Sequence, residues 1–269
     1  MRIKDKNIAI IAGALRLPFL VKDSLINQGY NVFTVGLKNY VDAKLKPDIV
    51  VRIGQGGTVM KELKKRGIRQ MILVGALGHP KFSDIRPDFW SMKLAARVLS
   101  ADRGYDSMLT VLVKEIEKFG VKVLAAQDLC PDLVFKPGLQ TKTKPGKADK
   151  KNIDRAVEVS KIIGQADIGH SVVVDKMVLG VEGADGTAAL LERIIKIRDG
   201  KKRSGVFAKM TKPGQSLKIE LPAIGPDTIS NVAKAGLNGI IVNAGSCLVI
   251  DLDQVLALAN KHKIFIYAV

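Results

Sequence analysis

Each of the first four apolar runs of this 269-residue chain closes on a glycine: Asn7–Ala12 on Gly13, Asn31–Val35 on Gly36, Asp48–Ile53 on Gly54 and Gln70–Val74 on Gly75. Short apolar runs that end in tight turns read as buried strands. Helical stretches fall between and after them, from Pro18 to about Gln28, over Thr58–Arg66, Asp88–Ser100 and Tyr105–Phe119, and Val121–Ala125 reads as a fifth strand. Strands alternating with helices predict an α/β layer with a parallel sheet, a Rossmann-like domain over residues 1–131.

The segment 132–150 changes character. Lys136, Lys142, Lys144, Lys147 and Lys150 are interleaved with Pro137, Gly138, Pro145 and Gly146, which reads as a linker. Beyond it, 151–269 predicts a second, α+β domain. Its strands fall at Ser171–Val174, Met177–Val181, Val206–Lys209, Leu217–Leu221, Gly239–Val242 and Lys263–Ala268. Its helices run from Thr187, after Pro226 and over Asp253–Asn260.

A net charge of +17 calls for anionic partners or a solvated lysine surface. Aromatic residues make up 5% of the chain, too few for stacking platforms, which argues against nucleic acid. Two isolated cysteines, Cys130 and Cys247, suit a reduced, cytoplasmic protein. No apolar run is long enough to span a membrane, so membrane contact would be peripheral.

Candidate chemistry gathers at element ends. The turns at Gly13, leading to Leu17 and Pro18, and at Gly54-Gln55-Gly56-Gly57 set strand, glycine and helix start in series, where backbone N–H groups can hold phosphate. Each alone reads as a tight turn; together, at one edge of a sheet, they mark a ligand crevice. Glu182 and Asp185 stand between a strand and a helix opened by Thr187, suited to capping or to holding Mg²⁺ beside a phosphate. Lys209, Lys212 and Lys218 bring positive charge, and Lys218 and Glu220 would share a strand face. His170 follows Asp167-Ile168-Gly169 at a strand start and is a better functional candidate than His79 or His262. No zinc spacing and no serine-hydrolase elbow occurs.

Ile11-Ala12-Gly13 with Leu17-Pro18, Gly75-Ala76-Leu77-Gly78, Arg86-Pro87-Asp88, Glu182 with Gly186-Thr187 and Leu191-Glu192-Arg193, Lys212-Pro213-Gly214-Gln215, and Leu221–Thr228 with Ala235-Gly236-Leu237 resemble the LpxI-type UDP-2,3-diacylglucosamine pyrophosphatases along nearly the whole chain. The resemblance implies Mg²⁺-dependent hydrolysis of a UDP-linked acylated glucosamine held between two domains, by a homodimer in the cytoplasm with peripheral contact at the inner membrane. On this reading Glu220, Asp106, Glu182 and Gln215 would do the chemistry, and Asp185 and Glu220 would hold metal. Gly13, Leu17, Gly56, Thr187, Lys209, Lys212, Lys218 and His170 would bind substrate. The chain departs from the family pattern in carrying Ser216, Glu220, Ala188 and Tyr105 where aspartates stand, His170 for Gln and Lys218 for Arg. Two other readings stay open: a relative that binds the glycolipid without turnover, and a basic nucleic-acid or membrane module using 136–155 and 196–203.

Overall fold

A computed structural model describes residues 5–77, 84–99, 105–169, 171–200, 202–214, 216–219 and 221–269. The chain divides into two compact units, one running to Cys130 and taking in Ser216–Ile219, the other made of Pro131–Gln215 and Glu220–Val269.

In the first unit, strands β1 (Asn7–Ala12), β2 (Asn31–Leu37), β3 (Ile49–Val51), β4 (Gln70–Val74) and β5 (Lys122–Val123) form a sheet of order β3-β2-β1-β4-β5. Every pairing in it is parallel, with Asn7 opposite Asn31 and Ala9 opposite Met71. Central β1 is apolar along its whole inner length because both faces are covered. Ala9 and Ile11 join Val59, Leu63, Val113 and Ile116 in one core, beneath α2 (Gly56–Lys65) and α4 (Tyr105–Glu117). Ile8 and Ile10, fully buried, point the other way, toward the side of α1 (Leu17–Asn27) with its buried Val21 and Leu25. Helix α3 (Phe89–Leu99) packs on α2 and α4. A short α5 (Ala126–Leu129) closes the unit. This is the Rossmann-like arrangement expected from the glycine-closed runs.

The second unit holds a mixed six-stranded sheet of order β6-β13-β11-β9-β7-β8. Its strands are β6 (Gly138–Leu139), β7 (Ser171–Asp175), β8 (Met177–Val181), β9 (Val206–Lys209), β11 (Gly239–Val242) and β13 (Phe265–Ala268). β9, β11 and β13 run parallel, whereas β7 is antiparallel to both its neighbours and β6 is antiparallel to β13. A two-stranded ladder joins β10 (Ala223–Ile224) to β12 (Leu248–Val249). Alternate residues split the core. Val173, Phe207 and Ile240 pack with α7 (Gly186–Ile197), α8 (Pro226–Lys234) and α9 (Leu252–Lys261). Val172, Ala208 and Ile241 pack instead under α6 (Lys147–Gln165).

The segment 132–150 is integral to this second unit. Gln140 N–H donates to the Ile266 carbonyl at 2.9 Å, and Ile266 N–H donates to Thr141 Oγ1 at 3.1 Å. The lysines that make the segment look solvated also open α6, whose buried Ile153, Ala156 and Val159 recur every three residues beneath them. The expected strand at Leu217–Leu221 does not form: residues 217–219 are a turn, and Ile219 packs into the first unit's core. The turn is held by the adjacent Lys218, paired with Glu117, and Ile219, while Leu217 is exposed. Cys130 and Cys247 are buried and lie outside any disulfide, and burial pushes the Cys247 thiol up to about 12.

Candidate functional site

At the C-terminal edge of the first sheet the glycines serve the fold. A Cβ on Gly13 would lie 2.6 Å from the Ala76 carbonyl, and Gly75, at φ +99°, presses back against Gly13. Two of the turn's own donors are taken: Gly13 N–H bonds the Val74 carbonyl at 2.9 Å and Ala14 N–H the Ala76 carbonyl at 2.8 Å. Leu17 opens α1 with Pro18 behind it.

The start of α2 is closed in the same way. A Cβ on Gly56 would lie 2.3 Å from the Trp90 ring, and Gly56 N–H donates to Ser91 Oγ at 3.1 Å. Asp88 supplies the negative charge that a helix start attracts. Its Oδ2 accepts from Thr58 N–H at 3.0 Å and its Oδ1 from Ser91 N–H at 2.9 Å, so one carboxylate serves the first turns of α2 and α3. Burial alone would raise its pKa; the N–H groups of Ser91, Thr58 and Gly57 with the Ser91 hydroxyl more than offset this and hold it below its ordinary value. The turn expected to receive a phosphate is thus occupied by the chain's own Asp88.

The corresponding edge of the second sheet gathers charged side chains. β8 ends at Val181, α7 begins at Gly186, and β9 ends at Lys209. Lys209 Nζ donates to Thr187 Oγ1 at 2.5 Å, and Thr187 Oγ1 donates to Glu182 Oε2 at 3.0 Å. Glu182 is buried, and Gly169 leaves room for it, since a Cβ there would lie 2.4 Å from the Glu182 carbonyl. Ser171 stands directly opposite Lys209 in the ladder, on the same face of the sheet, with its buried Oγ unpartnered among the described residues.

Just past β9, Lys212 pairs with Asp167 at 2.6 Å, its side chain 6% exposed. Thr211 is fixed by Asn243, which accepts from its N–H at 2.7 Å and from its hydroxyl at 3.0 Å. Asn243 follows β11 directly, and Asp167 opens the turn before β7. Asp167, Ser171 and Asn243 are additions to the residues read from sequence. Their signal was position alone, a polar residue at the end of an apolar run, which many turns share.

Of the expected site residues, the fold brings Glu182, Thr187 and Lys209 into contact and sets Lys212 three residues beyond. Asp185 points elsewhere: its carboxylate pairs with Arg193 at 2.5 Å and accepts from Gly183 N–H. Lys218 is on the turn that packs in the first unit, paired with Glu117 at 2.7 Å. Gly13, Leu17 and Gly56 are first-unit residues. Glu220, Gln215, His170 and the Asp106 side chain lie outside the described residues. Among the described residues no three His, Cys, Asp or Glu side chains converge to hold a metal. No described helix is long and apolar enough to cross a membrane.

Comparison with known proteins agrees with the two-unit architecture. Residues 7–133 match the LpxI N-terminal domain and residues 136–267 the LpxI C-terminal domain. The UDP-2,3-diacylglucosamine pyrophosphatase LpxI of Caulobacter vibrioides is 32% identical over 273 positions, covering 98% of each chain.

Proposed function

The chain belongs to the LpxI family, and on that premise we propose that it hydrolyses the pyrophosphate bond of UDP-2,3-diacylglucosamine to UMP and 2,3-diacylglucosamine 1-phosphate, a step of lipid A assembly. The observation that carries the reading is the Lys209–Thr187–Glu182 chain at the edge of the second sheet. Water forms a bond to one phosphorus while the bridging P–O bond breaks, and the negative charge that grows on the phosphate oxygens needs fixed cations. Lys209, steered by Thr187 and the buried Glu182, supplies one. Lys212, already partnered by Asp167, supplies a second whose charge is partly spent. Glu220 is assigned the placing of the water, with Asp106, Gln215 and His170 completing substrate contact.

Mg²⁺ is the proposed cofactor, neutralising phosphate charge when bound. It ordinarily uses one or two carboxylates together with substrate phosphates, so a protein cage is not required. Glu220 is the favoured ligand, since Asp185 would have to leave Arg193. The enzyme would act as a homodimer in the cytoplasm, in peripheral contact with the inner membrane. The test is UMP release from UDP-2,3-diacylglucosamine with Mg²⁺ and after EDTA. Release that EDTA abolishes is expected; none above buffer at high enzyme concentration removes the reading.

A second reading, a binder without turnover, is favoured by Ser216 and Ala188 where the family pattern carries aspartates. Tight glycolipid binding without product, and turnover appearing in Ser216→Asp, would establish it.

A further inference from the structure

Two lysine-rich stretches, 136–155 and 196–203, supply nothing to the site above, yet the fold brings them together at the opposite edge of the second sheet, where β9, β11 and β13 begin. The Lys176 N–H, at the tip of the β7–β8 hairpin, donates to Asn152 Oδ1 of α6 at 2.8 Å. Asn238 Nδ2, just before β11, donates to Asp149 Oδ1 at 2.9 Å. The Lys142 N–H donates to Asn260 Oδ1 near the end of α9 at 2.8 Å. Arg203 bonds the carbonyls of Leu237, His262 and Lys263. These bonds collect Lys142, Lys147, Lys150, Lys151, Lys176 and Lys263, all exposed, on one face.

The acids nearest them are largely spent. Asp175 is held by Arg198 at 2.6 Å and by Ser204, and Asp149 accepts from Gly146 N–H as well as from Asn238. Asp154 and Asp199 remain exposed, too few to balance the lysines. Helix electrostatics do not account for the cluster. Lys196, Lys234 and Lys261 sit in the last turns of α7, α8 and α9, where a helix favours positive charge. Lys147, Lys150 and Lys151 sit at the start of α6, where the helix dipole opposes them. Met177, 67% exposed, projects beside Lys176 at the hairpin tip. The second unit presents no exposed aromatic ring among its described residues.

We infer that this face docks on an anionic phospholipid bilayer, the lysines meeting headgroup phosphates and Met177 entering the interface. Lysines beside the exposed Met177 and Ile197, without stacking rings, fit a charged lipid surface better than single-stranded RNA. The inference goes beyond the proposed function: the lysine face lies at the edge of the second sheet opposite the Lys209–Thr187–Glu182 row, so docking there tethers the second unit while that row faces away from the bilayer; it rests on that reading only for the choice of a bilayer.

The test is sedimentation of the full chain with vesicles of phosphatidylethanolamine and phosphatidylglycerol, against vesicles of phosphatidylcholine alone. The parent is expected to bind the anionic vesicles only, and less as salt rises. The triple variant Lys147→Glu, Lys150→Glu, Lys151→Glu relieves the α6 dipole and so keeps its fold. Its affinity for anionic vesicles is expected to fall by at least roughly a hundredfold, while UMP release from detergent-dispersed substrate is unchanged. Equal binding by parent and variant, no binding by the parent, or binding to mixed-sequence RNA in place of vesicles overturns the inference. Loss of UMP release by the parent overturns the enzymatic reading and leaves the vesicle result standing by itself.

Discussion

At the strand-end edge of the first sheet several of the groups that would greet an anion are taken by the chain itself: Gly13 lies against Gly75 and Ala76, and Asp88 fills the start of α2. At the corresponding edge of the second sheet, Lys209, Thr187 and Glu182 form a bonded row of functional side chains, with Lys212 and Asp167 beside them. The difference is one of atoms. A glycine turn offers only backbone N–H groups, and a neighbouring carbonyl or carboxylate can consume them. A lysine at a strand end reaches several ångströms beyond the backbone and keeps donors to spare.

The comparison can be broken most sharply at Lys209. Lys209→Met keeps the apolar stem and removes the charge, and UMP release is expected to fall by about a hundredfold or more, with the melting temperature little changed. A variant within threefold of the parent would remove the second edge from the chemistry. Gly56→Ala should act on stability instead. Its Cβ meets Trp90 at 2.3 Å, a cost of about 1–3 kcal/mol. Thermal unfolding should record that loss while turnover per folded molecule holds; the reverse result would make the first edge a substrate contact.

Asp88→Ala removes a carboxylate shared by two helices, with an expected loss of about 1–2 kcal/mol. Because the folded-state pKa of Asp88 is lowered from 3.8, its contribution is present above that pH and is lost as pH falls through the folded value. The stability gap between parent and variant should therefore narrow in acid; a gap that is constant with pH would assign the effect to packing. Asp185→Asn is the smallest change. Breaking its exposed pair with Arg193 should cost under about 1 kcal/mol, with little effect on the Mg²⁺ concentration needed for half activity. A large rise in that concentration would make Asp185 a metal ligand after all.

Much of the fold was legible in residue order. Asn7–Ala12, Gln70–Val74, Val206–Lys209 and Gly239–Val242 form strands with the bounds read from sequence, because apolar runs buried on both faces have sharp ends, and the half-exposed edge strand Met177–Val181 also keeps its bounds. Helix α6 was not legible: lysines dominate its first turns, and its buried stripe emerges only from Ile153 onward. The turn at 217–219 was misread as a strand because an alternation of apolar and polar residues is not confined to strands. The row Lys209–Thr187–Glu182 was legible as residue types but not as contacts, since Thr187 and Lys209 are 22 residues apart.

By itself the sequence determined most of the longer strands, the parallel first layer and the family, because these follow from local periodicity and from motifs in order. Tertiary structure decided which charged groups meet. It gave Asp88 to a helix start, Asp185 to Arg193, Lys218 to Glu117 and Lys209 to Thr187, and it brought the lysines at the start of α6 to the sheet edge that holds Lys142, Lys176 and Lys263. Electrostatic partners are chosen by distances of a few ångströms, and those distances exist only once the strands have paired and the helices have packed.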